Sequence, residues 1–182
     1  MIMKRFFLCF VALVLLCGAA HSQWRDRVKT STDVMMFVPF AAGACLAYAE
    51  KDVDGLYQLA GSGVASVAVA YALKYTIDKK RPDGSDNHSF PSNHTGFAFM
   101  GATFIQQRYG WRYALPAYAV GAYVAWGRVY SRRHDAWDVL AGALIGSGCA
   151  MAITTPFAQK HSLTLVPCLS GDGGGVHASL TF

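Results

Sequence analysis

Five long stretches without a single charged residue constrain this chain more than any other feature. After Thr30 they are Val34–Ala49, Leu56–Leu73, Thr95–Gln107, Tyr113–Gly127 and Val139–Gln159. All are rich in Ala, Gly and Val, and none alternates polar with apolar residues at period two, so each is predicted to be helical. Glycine inside a soluble helix costs about 1 kcal/mol relative to Ala. Here Gly142 and Gly146 recur at helical spacing, as small residues do where membrane helices pack closely. A bilayer span needs about 20 apolar residues. Leu56–Leu73 and Val139–Gln159 meet that length alone, and Thr95–Gln107 fits an ordinary buried helix. Trp111, Tyr113, Trp126, Tyr130 and Trp137 lie near run ends, where interfacial aromatics sit. Charged residues make up only 15% of the chain, against about 25% in soluble domains. The expectation is an all-α, membrane-embedded bundle of about five helices, with a soluble helical bundle as the competing fold.

The two ends of the chain differ from this middle. Lys4 and Arg5 precede an apolar run from Phe6 to Leu16, and Ala20-His21-Ser22 offers a small-residue cleavage site. Residues 1–22 are therefore expected to be a signal peptide, the alternative being a first membrane helix. Residues 23–160 form the expected helical domain. In the segment 161–182, Ser162–Leu169 and Val176–Phe182 are strand-like and are joined by a glycine-rich turn, which predicts a short β-hairpin or tail. Of five cysteines, Cys9 and Cys17 lie in the leader, and Cys45, Cys149 and Cys168 lack metal-ligand spacing. The net charge of +5 is clustered. No basic stripe interleaves with aromatics, which argues against a nucleic-acid partner.

If each run crosses a bilayer, the polar loops Lys79–Asn93 and Arg128–Trp137 share one side. A signal peptide puts that side outside the cytoplasm. Lys79, Lys80, Arg81, Arg128, Arg132 and Arg133 would then face outward, against the positive-inside tendency. Chemistry supplies a reason for some of these charges.

Three clusters carry that chemistry. In the first, Lys74 and Arg81 are seven residues apart and precede Pro82. The spacing predicts one helix face, and the proline predicts a helix end at Arg81. Two cations there suit phosphate oxygens; helix-dipole or snorkelling contacts would use the same residues. The second cluster is Pro91-Ser92-Asn93-His94. Ser92 is an N-cap candidate, helix-start N–H groups bind anions, and His94 can give up a proton. In the third, Arg128 precedes His134 and Asp138, which are four apart. On a helix they would be neighbours, so the carboxylate fixes one ring nitrogen and frees the other to attack. Each cluster taken alone also fits a capped or charge-paired helix.

Together, Lys74…Arg81-Pro82, Pro91-Ser92-Asn93-His94 and Arg128…His134…Asp138 resemble the three signature motifs of the type 2 phosphatidic acid phosphatase family. That family includes vanadium haloperoxidases and bacterial acid phosphatases. Two positions depart from its pattern. Asn93 stands for a glycine, where a left-handed backbone is expected to be tolerated, and Gly127 stands for the serine before Arg128.

The resemblance implies a metal-independent, cofactor-free phosphatase. His134 is the expected nucleophile, forming a phosphohistidine, Asp138 orients it, and His94 serves the leaving oxygen and then the water. Lys74, Arg81, Ser92, Asn93 and Arg128 are the expected phosphate-binding set. An apolar bundle with a polar site at one face suits a lipid phosphate or diphosphate: undecaprenyl diphosphate, phosphatidylglycerol phosphate, phosphatidic acid or lipid A. The resemblance implies a multi-pass inner-membrane protein with its site on the periplasmic face. A soluble periplasmic acid phosphatase, a haloperoxidase and a silent phospholipid-binding protein are the competing functions.

Overall fold

The computed structural model describes residues 24–157, 162–170 and 173–181. The expected leader, residues 1–22, lies outside the described residues. Six helices follow: α1 Trp24–Met35, α2 Val38–Ala49, α3 Val53–Thr76, α4 Asn93–Tyr109, α5 Trp111–Tyr130 and α6 Ala136–Ile153. α1 and α2 run on as one apolar rod of 26 residues, Trp24–Ala49. Pro39 in the first turn of α2 has no N–H to give and crowds the preceding turn, which accounts for the break. The expected bundle of five rods is thus present.

Among the described residues, three segments are long and apolar enough to cross a membrane: Trp24–Ala49, Val53–Thr76 and Ala136–Ile153. Their side chains follow suit, since Val34, Phe37, Val64, Val69, Leu140, Leu144 and Met151 are exposed. A soluble bundle would expose few such groups in continuous bands. The aromatic residues sort to the two ends. Trp126, Tyr130 and Trp137 are exposed at one, and Tyr48, Tyr57, Trp111 and Tyr113 at the other.

α4 is the central helix. Met100, Ala102, Phe104 and Ile105 are wholly buried and pack with Leu59, Ala114, Ala117 and Ala150 from the surrounding rods. The predicted glycine packing is found between α4 and α6. A Cβ on Gly146 would collide with the Gly96 carbonyl, and one on Gly142 with the Ser92 carbonyl. The two helices therefore touch backbone to backbone at their site-bearing ends, where Ser92 N–H donates to Asp138 O at 3.0 Å.

Several boundaries differ from expectation. α3 ends at Thr76, not at Arg81, because Ile77 is already extended. Lys79 and Arg81 instead donate backbone N–H groups to Asn87 and Asp86, so Arg81 belongs to a folded loop. α6 stops at Ile153, ahead of Pro156, which leaves 154–157 of the uncharged run outside the helix. His134 precedes α6, whose cap is Asp135. The tail forms an antiparallel hairpin of β1 Ser162–Ser170 and β2 Gly173–Thr181, with Ser162 opposite Thr181.

Candidate active site

The chain reverses at each end, so the start of α1, the end of α3, the start of α4, the end of α5 and the start of α6 share one end of the bundle. All eight residues predicted for the site lie there, on four different elements. Lys74 is the last buried side chain of α3. Its ammonium donates to the carbonyls of His88 at 2.8 Å and Pro91 at 3.0 Å. It therefore holds the loop that leads into α4 while keeping one N–H uncommitted. Arg81 donates from Nε to Asp86 at 2.6 Å, and its charge is felt by the His134 ring.

Asp138 is wholly buried and firmly held. Lys79 Nζ donates to Oδ1 at 2.6 Å, while Ser89 Oγ and Asp135 N–H donate to Oδ2. Asp135 and Asp138 also form a reciprocal capping box at the start of α6, which sets the carboxylate's direction from the backbone. His134 Nδ1 lies 3.6 Å from Asp138 Oδ2. That is beyond hydrogen-bond length and within the looseness of unliganded catalytic pairs. Nε2 is thereby the free nitrogen.

His134 is 3% exposed. Burial pushes its imidazole below the usual value against the pull of Asp138, and the positive charges of Arg81, Arg128 and Lys74 push the same way. Those three cations thus act on one ring, and each favours its neutral form.

His94 occupies the first turn of α4. Arg128, reaching over from α5, brings Nη2 to 2.6 Å from His94 Nε2. The Asp33 carboxylate of α1 is 3.0 Å from that same nitrogen and 2.7 Å from Arg128 Nη1. The two contacts fit opposite protonation states of Nε2. A lone pair accepts from Arg128, and a proton is donated to Asp33. Nε2 thus sits between a guanidinium that favours its lone pair and a carboxylate that favours its proton.

Two expectations about the α4 start change. Ser92 stands at the N-cap, but its hydroxyl makes no capping bond and pairs with Thr95 Oγ1 at 3.1 Å. With its N–H already given to Asp138 O, Ser92 ties the start of α4 to α6 and presents no free backbone donor to an anion. Asn93 is the first helical residue, and no left-handed backbone is needed there: the non-glycine residues with positive φ are Lys51 and Arg132. Asn93 Oδ1 is buried without a partner, as are Arg128 Nε, Arg133 Nε, His134 Nδ1 and Thr154 Oγ1. Three of these orphans are nitrogens at one end of the bundle, and buried polar groups are rarely left so.

Asp33, Lys79 and Ser89 are the site residues that sequence reasoning missed. Asp33 borders the uncharged run Val34–Ala49, and an ionisable group in a membrane segment is a functional candidate by default. Nothing local singles out Lys79 or Ser89.

The sequence profile of the PAP2 superfamily matches residues 72–161. The lipid A 4'-phosphatase of Helicobacter pylori strain J99 is 32% identical over 154 residues, 79% of this chain and 77% of that protein. A lipid A 1-phosphatase of Porphyromonas gingivalis is 41% identical over 78 residues, 41% of this chain and 18% of that protein. Among solved structures, Aquifex aeolicus LpxE superposes with a TM-score of 0.57 at 20% identity, over 76% of this chain and 89% of that one. A transmembrane PAP2-type phosphatidylglycerolphosphate phosphatase from Bacillus subtilis gives 0.57 at 20% identity, over 82% of this chain and 92% of that one. These two share the fold. The reach of the full-length relative beyond the matched profile, and the placing of all three motifs at one end of the bundle, make this chain a membrane-embedded member of the PAP2 superfamily and a metal-independent phosphatase.

Proposed function

We propose that this protein removes a phosphomonoester from a lipid A-like glycolipid at the periplasmic face of the inner membrane, through a phosphohistidine on His134. The carrying observation is the meeting of two imidazoles with Lys74, Arg81 and Arg128 at one end of a bundle whose sides are apolar. Lipid A is favoured over the other lipid phosphates because proteins of that name are the relatives matched in sequence.

The steps follow from the geometry. Lys74, Arg81 and Arg128 bind the non-bridging phosphate oxygens and stabilise the charge that builds on them. His134 Nε2 attacks phosphorus as the bond to the lipid oxygen breaks. The leaving oxygen takes the proton of His94 Nε2. Water then attacks the phosphohistidine, His94 Nε2 receives its proton, and His134 is regenerated as phosphate leaves. Asp138 keeps Nδ1 pointed away from phosphorus and supports the ring's charge in the intermediate.

The test is turnover of a lipid phosphate panel in neutral detergent with a chelator present. His134→Ala is expected to lose at least about 10⁴-fold in kcat and to form no acid-labile phosphoenzyme on rapid quenching. Near-normal turnover by that variant would remove His134 from the nucleophile's role.

A further inference from the structure

Beside the catalytic hollow lies a second cationic feature that the reaction does not use. A cleft of about 440 Å³ opens between the first turns of α1 and the two catalytic loops. Its charged lining is Arg25, Asp26 and Lys29 of α1, Asp83 of the loop before α4, and Arg132 and Arg133 before α6. Asp83 is engaged by Arg133 at 2.9 Å. That leaves Arg25, Lys29 and Arg132 against the single carboxylate of Asp26.

Arg132 adds a separate observation. It takes φ 57° just beyond the end of α5, a position where glycine is the default. A bulky side chain there carries a conformational cost, so the chain keeps an arginine at a place that favours none.

The cleft stands at a defined distance from the hollow. Arg25, Lys29 and Asp33 recur every four residues and so share one face of α1, and Asp33 touches both Arg128 and His94. At about 1.5 Å per residue, Lys29 and Arg25 lie roughly 6 and 12 Å outward from that contact. The second phosphate of a diphosphate, which shares a bridging oxygen with the first, cannot span this gap. An anion separated from the scissile phosphate by sugar can.

We infer that Arg25, Lys29 and Arg132 form a subsite for a second anionic group on the same substrate, set apart from the scissile phosphate by a sugar-sized spacer. The inference rests on the glycolipid reading above and deepens it. The subsite selects substrates carrying two anions and strengthens their binding, without taking part in bond breaking.

Diphosphoryl lipid A and each monophosphoryl form, presented in neutral detergent micelles, test it with the triple variant R25Q/K29Q/R132N. Asn at 132 tolerates the left-handed backbone, and the unfolding midpoint checks that the bundle is intact. Exposed charges of this kind each contribute modestly, so the three are removed together. The triple variant is expected to raise KM for the diphosphoryl substrate about tenfold, to leave kcat and the monophosphoryl KM unchanged, and to lose the salt sensitivity of the wild-type preference. Equal losses on both substrate forms, or none, would overturn the subsite. So would a monophosphoryl KM that falls only when phosphatidylglycerol is added and only in the wild type, because the cleft would then hold neighbouring headgroups. A wild-type protein that hydrolyses none of the lipid A forms sinks the glycolipid reading itself, a different result from lost discrimination.

Discussion

The two ends of the bundle treat buried charge in opposite ways. At the end away from the hollow, Arg108 makes a bidentate pair with Asp52. Tyr109 donates to the same carboxylate at 2.7 Å, Gly55 N–H adds a bond at 2.9 Å, and Arg108 also reaches the carbonyl of Thr155 at 2.7 Å. This closed knot ties the α2–α3 turn, the end of α4 and the segment after α6. At the catalytic end, Arg128 Nε, Arg133 Nε and His134 Nδ1 are buried without partners. One end spends its charged groups on each other, with Thr154 Oγ1 as its unpartnered atom. The other leaves ring and guanidinium nitrogens without partners, the kind of departure from local rules expected at a functional site.

The sharpest way to break this contrast is to exchange the roles. Arg108→Ala leaves Asp52 buried and unpaired, which costs about 3–5 kcal/mol. Denaturation in detergent should show that loss, while kcat of the folded fraction stays near wild type. His134→Ala should do the reverse. The Asp52 pKa, drawn down from 3.8 to about 2 chiefly by Arg108, predicts the pH window. A lowered folded-state pKa gives stability that is complete above about pH 4 and is lost as pH falls through about 2. A lasting stability difference between wild type and Arg108→Ala below pH 2 would deny that the carboxylate carries it.

A smaller effect sharpens the catalytic side. Asp33 touches His94 Nε2 and Arg128 Nη1 at once, so in the proposed mechanism it positions both the acid and a phosphate ligand. Asp33→Asn keeps the shape and removes the charge. We expect kcat to fall about tenfold, near the loss of one charge-assisted hydrogen bond. The basic limb of the kcat profile should move to lower pH, since the imidazolium of His94 loses its counter-ion. A merely structural Asp33 would lower the unfolding midpoint and leave that limb in place.

How much of this was legible beforehand follows from how local each feature is. Lys74, Arg81, His94, Arg128, His134 and Asp138 announce themselves through short-range spacing, and each stretch without charge predicted its own rod. Gly142 and Gly146 foretold a close helix contact, because such packing needs nothing longer than a helical repeat, but not that α4 is the partner. The missed items depend on partners far along the chain. Asp33 meets Arg128 across 95 residues, Lys79 meets Asp138 across 59, and Ser89 meets Asp138 across 49. The wrong end for α3 has the same origin. Pro82 could stop a helix, yet pairing between Lys79 and the Asn87–Ser89 stretch ends it one turn sooner. The Asp52–Arg108 knot was invisible for the same reason, with 56 residues between its partners.

The subtlest difference between the two ends is in how pH reads them. Burial, opposed by Asp138 and reinforced by the neighbouring cations, holds His134 below its ordinary value. The nucleophile must be neutral to attack, so the acidic limb of kcat/KM should fall below the usual imidazole range near 6.5. Asp138→Asn removes the one influence that raises this pKa, so the limb should move further into acid. The rate should meanwhile drop about 10³- to 10⁴-fold as Nδ1 loses its orienting carboxylate. The two changes run in opposite senses: the variant stays neutral at lower pH yet attacks more slowly. An acidic limb that moved towards neutral pH in Asp138→Asn would mean that another group limits the reaction, and that the orphaned nitrogens at this end do not mark the nucleophile's surroundings.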